Sequence, residues 1–245
     1  MLLTKEEIID QCNNARNFIS HTPYGNSVLK LSDTMAVKFG NGVTKAEANS
    51  QEKAYQILDR SIVRVPKVHD FFEDRQGRGY LVMEFMEGET QEAPLDSSKL
   101  SALFRVLDHF ATKKSGKPRS LGGGPSSALL FGESDHPTFE TIEEIERWFN
   151  LRHLVPGANL SLQGCELVLC HLDLFPRNIL WFSDQPPCVL DWPSAGYYPR
   201  IFEACSQIIR TRLEKGVLEI PIPQCDTERV SLILKAWGNA QRFHL

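Results

Sequence analysis

The sequence predicts an α+β fold in two lobes, residues 1–87 rich in strands and residues 88–245 mainly helical. Three observations predict it. Short apolar or alternating runs bounded by turn residues crowd the stretch from Ser27 to Phe85. Apolar residues return at helical spacing after Asp96 and again after Thr141. The chain has 245 residues, 42% of them hydrophobic, enough for one large domain or two modest lobes sharing a cleft.

Taken in order, Thr4-Lys5-Glu6-Glu7 fits a capping box, with Thr4 accepting from the backbone of Glu7 and the Glu7 carboxylate reaching back. The helix it opens carries Ile8, Ile9, Cys12, Ala15, Phe18 and Ile19 inward and breaks at Tyr24-Gly25-Asn26. Residues 27–31 and 35–39 read as strands joined by the turn Ser32-Asp33-Thr34. A polar helix follows from about Thr44 to Leu58, then extended segments at 67–72 and 80–85. Beyond the connector around Gly88 and Pro94, Asp96 caps a helix with Leu100, Leu103, Phe104, Leu107 and Phe110 on its apolar face. Residues 113–119 read as a basic, solvated loop, and Gly122-Gly123-Gly124 as a flexible break. No GK[ST] follows those glycines, so they are not a phosphate loop. Residues 141–154 read as an amphipathic helix, and the acidic stretch of Glu140, Glu143, Glu144 and Glu146 reads as a solvated face, with a surface for a cationic molecule as the alternative.

Several function classes fall away. A net charge of −4 argues against non-specific nucleic-acid binding. The N-terminus lacks a basic region followed by an apolar run, and no stretch approaches the ~20 apolar residues of a membrane span. The six cysteines form no CxxC pair, and Cys165 and Cys170 lack mates for a zinc site. Free thiols in a reducing, cytoplasmic setting are expected.

The chemistry concentrates between Leu167 and Trp192. Apolar runs flank His171-Leu172-Asp173-Leu174-Phe175-Pro176-Arg177-Asn178, and a third run, Cys188-Val189-Leu190, leads into Asp191-Trp192. Two carboxylates and a carboxamide thus lie near the ends of paired strands. Phosphoryl transfer asks for this set: a carboxylate to orient a hydroxyl and take its proton, and oxygen donors for Mg²⁺.

HLDLFPRN matches the H-x-D-x-x-x-x-N loop of the kinase superfamily, and Asp191 falls where that superfamily places a metal-binding Asp. The longer run through VLDWPSAGYYP resembles the aminoglycoside phosphotransferase-like small-molecule kinases, fungal-type members in particular. SVLKLSDTMAVKFG resembles their nucleotide-covering hairpin, and VPKVHDFF and YLVMEFMEGET their sheet and hinge. The likeness spans about residues 24–92 and 165–210.

The resemblance implies a protein kinase-like two-lobed fold and transfer of the γ-phosphate of ATP to a hydroxyl of a small molecule. It implies that Lys38 binds the α- and β-phosphates and that a helix glutamate pairs with Lys38. Counting back from VPKV selects Glu52, with Glu47 as the alternative. Met83, Glu84, Phe85 and Met86 would form the hinge against adenine. Asp173 would be the catalytic base, Asn178 and Asp191 the Mg²⁺ ligands, and His171 a brace for the loop. The hairpin lacks a G-x-G-x-x-G loop, so Ser27, Ser32 or backbone amides must stand in for it. Pro193 stands where relatives often carry an acid. Against a protein kinase stand the 54 residues that follow Asp191 and the lack of DFG and APE motifs. A catalytically inactive kinase-fold binding protein is the competing reading, which loss of Lys38, Asp173, Asn178 or Asp191 would have favoured.

Overall fold

The computed structural model describes residues 3–21, 25–92, 94–132, 136–154, 157, 159–213 and 226–243. Tyr24 and Cys225 lie outside these. The capping box forms as the sequence dictates. Thr4 Oγ1 accepts from Glu7 N at 3.2 Å, and Glu7 Oε2 accepts from Thr4 N at 2.7 Å. This opens α1 (Lys5–Asn14), whose buried Ile8 and Cys12 pack on one face of a sheet.

That sheet has five antiparallel strands: β1 (Ser20–His21), β2 (Ser27–Lys30), β3 (Met35–Gly40), β4 (Val68–Glu73) and β5 (Gly79–Glu84), in the order β1-β2-β3-β5-β4. Strand alternation sorts its residues. Leu29, Val37, Phe39, Tyr80 and Val82 turn toward α1, while Leu81 turns to the other face, against Val43 and Ala48. Lys38 stands between Val37 and Phe39, on the face away from α1, in register with Val28 and Leu81. That other face is covered by α2 (Lys45–Ile57), capped by Thr44. A side chain at Gly79 would put its Cβ 2.0 Å from the Val43 carbonyl oxygen, so the close approach of β5 to the β3–α2 turn requires glycine.

The second part of the chain carries α3 (Ser97–Ala111), capped by Asp96, and α4 (Ile142–Asn150), capped by Thr141. It ends in α5 (Ile201–Leu213) and α6 (Thr227–Phe243). A four-stranded antiparallel sheet, β6-β8-β11-β7, lies among them: β6 (Lys114–Ser115), β7 (Arg119–Ser120), β8 (Leu167–Cys170) and β11 (Gly196–Pro199). The segment expected as a basic loop therefore supplies two sheet edges. A hairpin of β9 (Ile179–Leu180) and β10 (Cys188–Val189) completes the set. Helix α4 stops at Asn150, short of the expected Leu154. There the Asn150 side chain accepts from Leu160 N at 2.7 Å and donates to Leu160 O at 3.0 Å, tying the next segment back.

One aromatic core, with Phe131, Phe149, Tyr198 and Phe202 fully buried, fills the helical part. A second cluster runs between the parts, joining Ala54, Leu58, Val63 and Val65 to Leu103, Leu107, Leu121 and Trp192. The backbone bridge Arg64–Cys188 adds to that seam, while Glu89–Trp181 fastens the connector to the second part. Cys12, Cys170, Cys188 and Cys205 are buried free thiols and Cys165 is half-buried. Among the described residues no helix is long and apolar enough to cross a membrane.

Candidate active site

Lys38 is held in place by the alternation of β3 and meets two carboxylates. Its Nζ lies 2.5 Å from Glu47 Oε1 and 2.7 Å from Asp191 Oδ1. Burial works against its charge, but Asp191 and Glu47 outweigh burial and the ammonium pKa is raised. Lys38 is therefore a fixed cation.

The helix partner is Glu47, and the expectation of Glu52 is corrected. Glu47 sits in the first turn of α2, 2% exposed, on the face shared with Ala48, Gln51 and Ala54. Glu52 comes five residues later, about 140° further round the helix, and is exposed. Burial pushes the Glu47 carboxyl above its ordinary value despite the pull of Lys38.

Asp173 follows β8. The turn into it is strained: Leu172 has φ 61°, a left-handed conformation rare for a branched side chain. A buried carboxylate holds it there. Glu203 of α5, 2% exposed, accepts from His171 N at 2.7 Å and from Leu172 N at 3.1 Å. Burial pushes the Glu203 carboxyl up to about 7, although the two backbone donors pull it down. His171 is fully buried, and its Nε2 lies 3.0 Å from Leu190 O while Nδ1 lies 3.3 Å from Asp173 N. That pattern fits a neutral ring donating through Nε2 and accepting at Nδ1. Burial holds its pKa down at about 4.

Both oxygens of Asp173 are engaged. Arg210 Nε donates to Oδ1 at 2.8 Å, and Asn178 Nδ2 donates to Oδ2 at 3.1 Å and to the Asp173 carbonyl at 2.9 Å. Burial raises the Asp173 pKa against the pull of Arg210. Leu190 N donates to Asn178 O at 2.8 Å, so the loop carrying Asp173 is stitched to the strand end carrying Asp191. Asp191 itself has φ 66°. Its carboxyl is lowered, because Lys38 overcomes the cost of burial. Trp192, fully buried behind it, packs edge-on to His171 and Phe110 and donates through Nε1 to Val189 O at 2.9 Å.

Met83 and Glu84 close β5, with Phe85 and Met86 just beyond it. Glu84 N donates to Lys67 O at 2.8 Å and Phe85 N to Thr34 O at 3.0 Å. Met83 Sδ lies 3.5 Å from Gln51 Nε2, and Met86 Sδ 3.6 Å from Arg64 Nη2. The two serines offered in place of a glycine loop part company. Ser32 belongs to the turn bonded to Phe85, at the opposite end of β3 from Gly40 and away from Lys38. Ser27 pairs with Phe39, beside Lys38, but its buried hydroxyl lies 2.9 Å from His21 Nδ1.

Two residues of this site have no counterpart in the sequence reading, Glu203 and Arg210. Glu203 left a trace, a lone acid on the apolar stretch Ile201–Ala204. Arg210 left none. The oxygen donors suit a hard cation. With Asn178 Nδ2 turned to Asp173, its carboxamide oxygen points elsewhere, and Asp191 adds one carboxylate. Mg²⁺ is characteristically held by one or two such protein groups together with phosphate oxygens and water.

A family model described as the phosphotransferase enzyme family matches residues 19–213. No curated protein is a significant match by sequence. Among solved structures, the aminoglycoside phosphotransferase APH(4)-Ia is similar over 98% of this chain and 90% of its own, at 14% identity and TM-score 0.60. A thermostable mutant of it, in ternary complex with AMP-PNP and hygromycin B, matches over 97% and 89% at 13% identity and TM-score 0.57. The GDP and kanamycin complex of APH(2")-IIia matches over 95% and 85% at 14% identity and TM-score 0.50. At such identities the likeness shows the fold, the two-lobed protein kinase-like one.

Proposed function

The chain belongs to the phosphotransferase enzyme family, and we propose that it transfers the γ-phosphoryl group of ATP to a hydroxyl of a small molecule. The observation that carries this reading is the convergence of Lys38, Asp191, Asn178 and Asp173 from β3, the end of β10 and the loop after β8. Lys38 and Asp191 touch although 153 residues separate them. Nucleotide then lies between residues 1–87 and 88–245, with adenine against residues 83–86.

Each residue takes a definite task. Asp173 accepts the hydrogen bond of the acceptor hydroxyl, aims its oxygen in line and takes its proton. The new bond joins the acceptor oxygen to the γ-phosphorus. The bond from that phosphorus to the β–γ bridging oxygen breaks, and ADP leaves with the electron pair. Burial of Asp173 raises its basicity for this purpose. Lys38, braced by Glu47, neutralises the α- and β-phosphates. Asp191 and the Asn178 carboxamide oxygen would hold Mg²⁺, which neutralises phosphate oxygens when bound. Glu203 and His171 keep the strained loop in shape.

A small-molecule acceptor is supported by a structural relative crystallised with AMP-PNP and hygromycin B. The test is ADP release from Mg-ATP across hydroxylated metabolites, amino alcohols and aminoglycosides. Acceptor-dependent release is expected, and Asp173→Asn should lower it about 10²–10⁴-fold while nucleotide still binds. A variant as fast as the parent would remove Asp173 from the mechanism. Nucleotide binding with no turnover in any arm would favour a binding protein.

A further inference from the structure

Lys38 and Met83 stand at two points of one sheet face, the face away from α1. Met83 is in register with Ala36, two residues before Lys38 on β3. The two positions therefore share a face and lie about 7 Å apart along the strands. Helix α2 covers that face, and the four residues from Glu47 to Gln51 climb about 6 Å. One stretch of helix thus matches one stretch of sheet, and a polar side chain stands at each end of it.

Glu47 Oε1 accepts from Lys38 Nζ at 2.5 Å. Gln51, 2% exposed, donates through Nε2 to Pro66 O at 2.9 Å, and the same nitrogen lies 3.5 Å from Met83 Sδ. Pro66 leads into Lys67, whose carbonyl accepts from Glu84 N at 2.8 Å and whose N–H donates to Glu84 Oε2 at 3.2 Å. Gln51 is thus fastened twice to the end of β5, directly at Met83 and through Pro66 and Lys67 at Glu84. Ala48 and Ala54 complete the inward face of α2. Their apolar burial is non-directional, so the two polar contacts set where along the sheet the helix rests.

We infer that Gln51 is a positioning residue for the nucleotide phosphates: it holds α2 at the height where Glu47 meets Lys38. The inference rests on the reading that places ATP between β3 and residues 83–86. Without the Gln51 amide, the Pro66 carbonyl loses a donor and α2 keeps only apolar contacts at that turn. Glu47 then drifts from Lys38, which is left with Asp191. The phosphates meet a cation that is no longer held from the α2 side. The purine and ribose, against the strand end itself, do not feel the change.

The test is calorimetric titration of AMP-PNP with Mg²⁺, and separately of adenosine, into the parent, Gln51→Leu, Gln51→Met, Glu47→Ala and the double variant Glu47→Ala/Gln51→Leu. Gln51→Leu should weaken AMP-PNP binding about 3- to 10-fold, in the range of one lost neutral hydrogen bond, and leave adenosine within about two-fold of the parent. Gln51→Met keeps the length of the side chain without its donor. It should follow Gln51→Leu, and it carries the test if the leucine variant fails to fold. In the double variant AMP-PNP should bind about as it does to Glu47→Ala, because the group through which Gln51 acts is already gone. In turnover the loss should fall on the KM for ATP, with the acceptor KM unchanged.

Equal AMP-PNP affinities in the parent and Gln51→Met overturn the inference. So do a parallel loss of adenosine affinity, a parallel rise in the acceptor KM, or additive losses in the double variant, all of which mark a general loosening of the fold. In each of those cases weakened AMP-PNP binding by Lys38→Met keeps the nucleotide reading intact. A parent protein that binds no AMP-PNP removes both.

Discussion

Glu203 and His171 are two buried titratable groups on either side of one strained peptide segment, and their shifts run in opposite directions. Glu203 moves from 4.5 up to about 7 because burial disfavours its charge. Between those values the folded protein holds a proton that the unfolded chain has released, so Glu203 makes stability fall as pH rises. His171 moves from 6.5 down to about 4, also through burial. Between those values the unfolded chain binds a proton that the folded protein does not, so His171 makes stability fall as pH drops. From about pH 4.5 to 6.5 the two slopes oppose one another. Each is worth at most about 3 kcal/mol. Glu203→Gln removes one of them. The melting temperature of the variant relative to the parent should therefore climb steadily from pH 4.5 to 7, as calorimetry at half-unit steps will show. Parallel curves would mean that Glu203 keeps its ordinary pKa.

The same loop shows why elements matter more than motif letters. Along α5, Glu203, Gln207 and Arg210 recur at i, i+4 and i+7, one face of the helix. Glu203 holds Leu172 N, Gln207 Nε2 donates to Leu174 O, and Arg210 reaches Asp173. One helix face thus fixes three successive residues of the loop. That was not legible, because the partners lie more than thirty residues apart and no local pattern joins them. The residues Lys38, Asp173, Asn178 and Asp191 were legible, because a short motif with fixed spacing carries Asp173 and Asn178, and apolar strand runs lead into Asp191 and flank Lys38. Strand alternation and caps made β2, β3, α2 and α3 legible too. Choosing Glu52 over Glu47 failed on helical phase, although Ala48, Gln51 and Ala54 already marked the inward face. Strands β6 and β7, two residues each, are too short for any periodicity to betray.

The glycine run read as a flexible break is a docking point between elements. Leu121 is buried with its N–H on Ala195 O, and a Cβ on Gly122 would lie 2.0 Å from Ala46 O and 2.6 Å from Ser50 Oγ. Ala46 directly precedes Glu47. Gly122→Ala should therefore cost about 1–3 kcal/mol, read as a lower urea midpoint, and should weaken nucleotide binding by shifting the first turn of α2. Gly123, at φ 87° with open space around its Cβ position, is the control. Gly123→Ala should cost stability through backbone strain alone, about 1–2 kcal/mol, and leave nucleotide affinity as it was. Equal affinities in the two variants would detach the glycine segment from the Lys38–Glu47 pair.

At the scale of the whole molecule, the Lys38–Asp191 contact ties the five-stranded sheet to the second part of the chain, across the shared cluster that includes Ala54, Leu58 and Trp192. On the proposed reading, nucleotide phosphates would compete with Asp191 for Lys38, so binding would exchange one set of charge contacts across the seam for another. Any ligand that binds only the folded state stabilises it, by about 2.7 kcal/mol at a hundred times its Kd. For a chain of this length that corresponds to a melting temperature raised by about 5–10 °C. Lys38→Met leaves the buried Glu47 carboxyl without its cation, so the variant alone should melt earlier, by an amount reflecting about 3–5 kcal/mol for a broken buried pair. Added Mg-ATP should then raise its melting temperature far less than it raises that of the parent. A full rise in Lys38→Met would place the nucleotide away from β3, and with it the whole assignment of the cleft between the two parts.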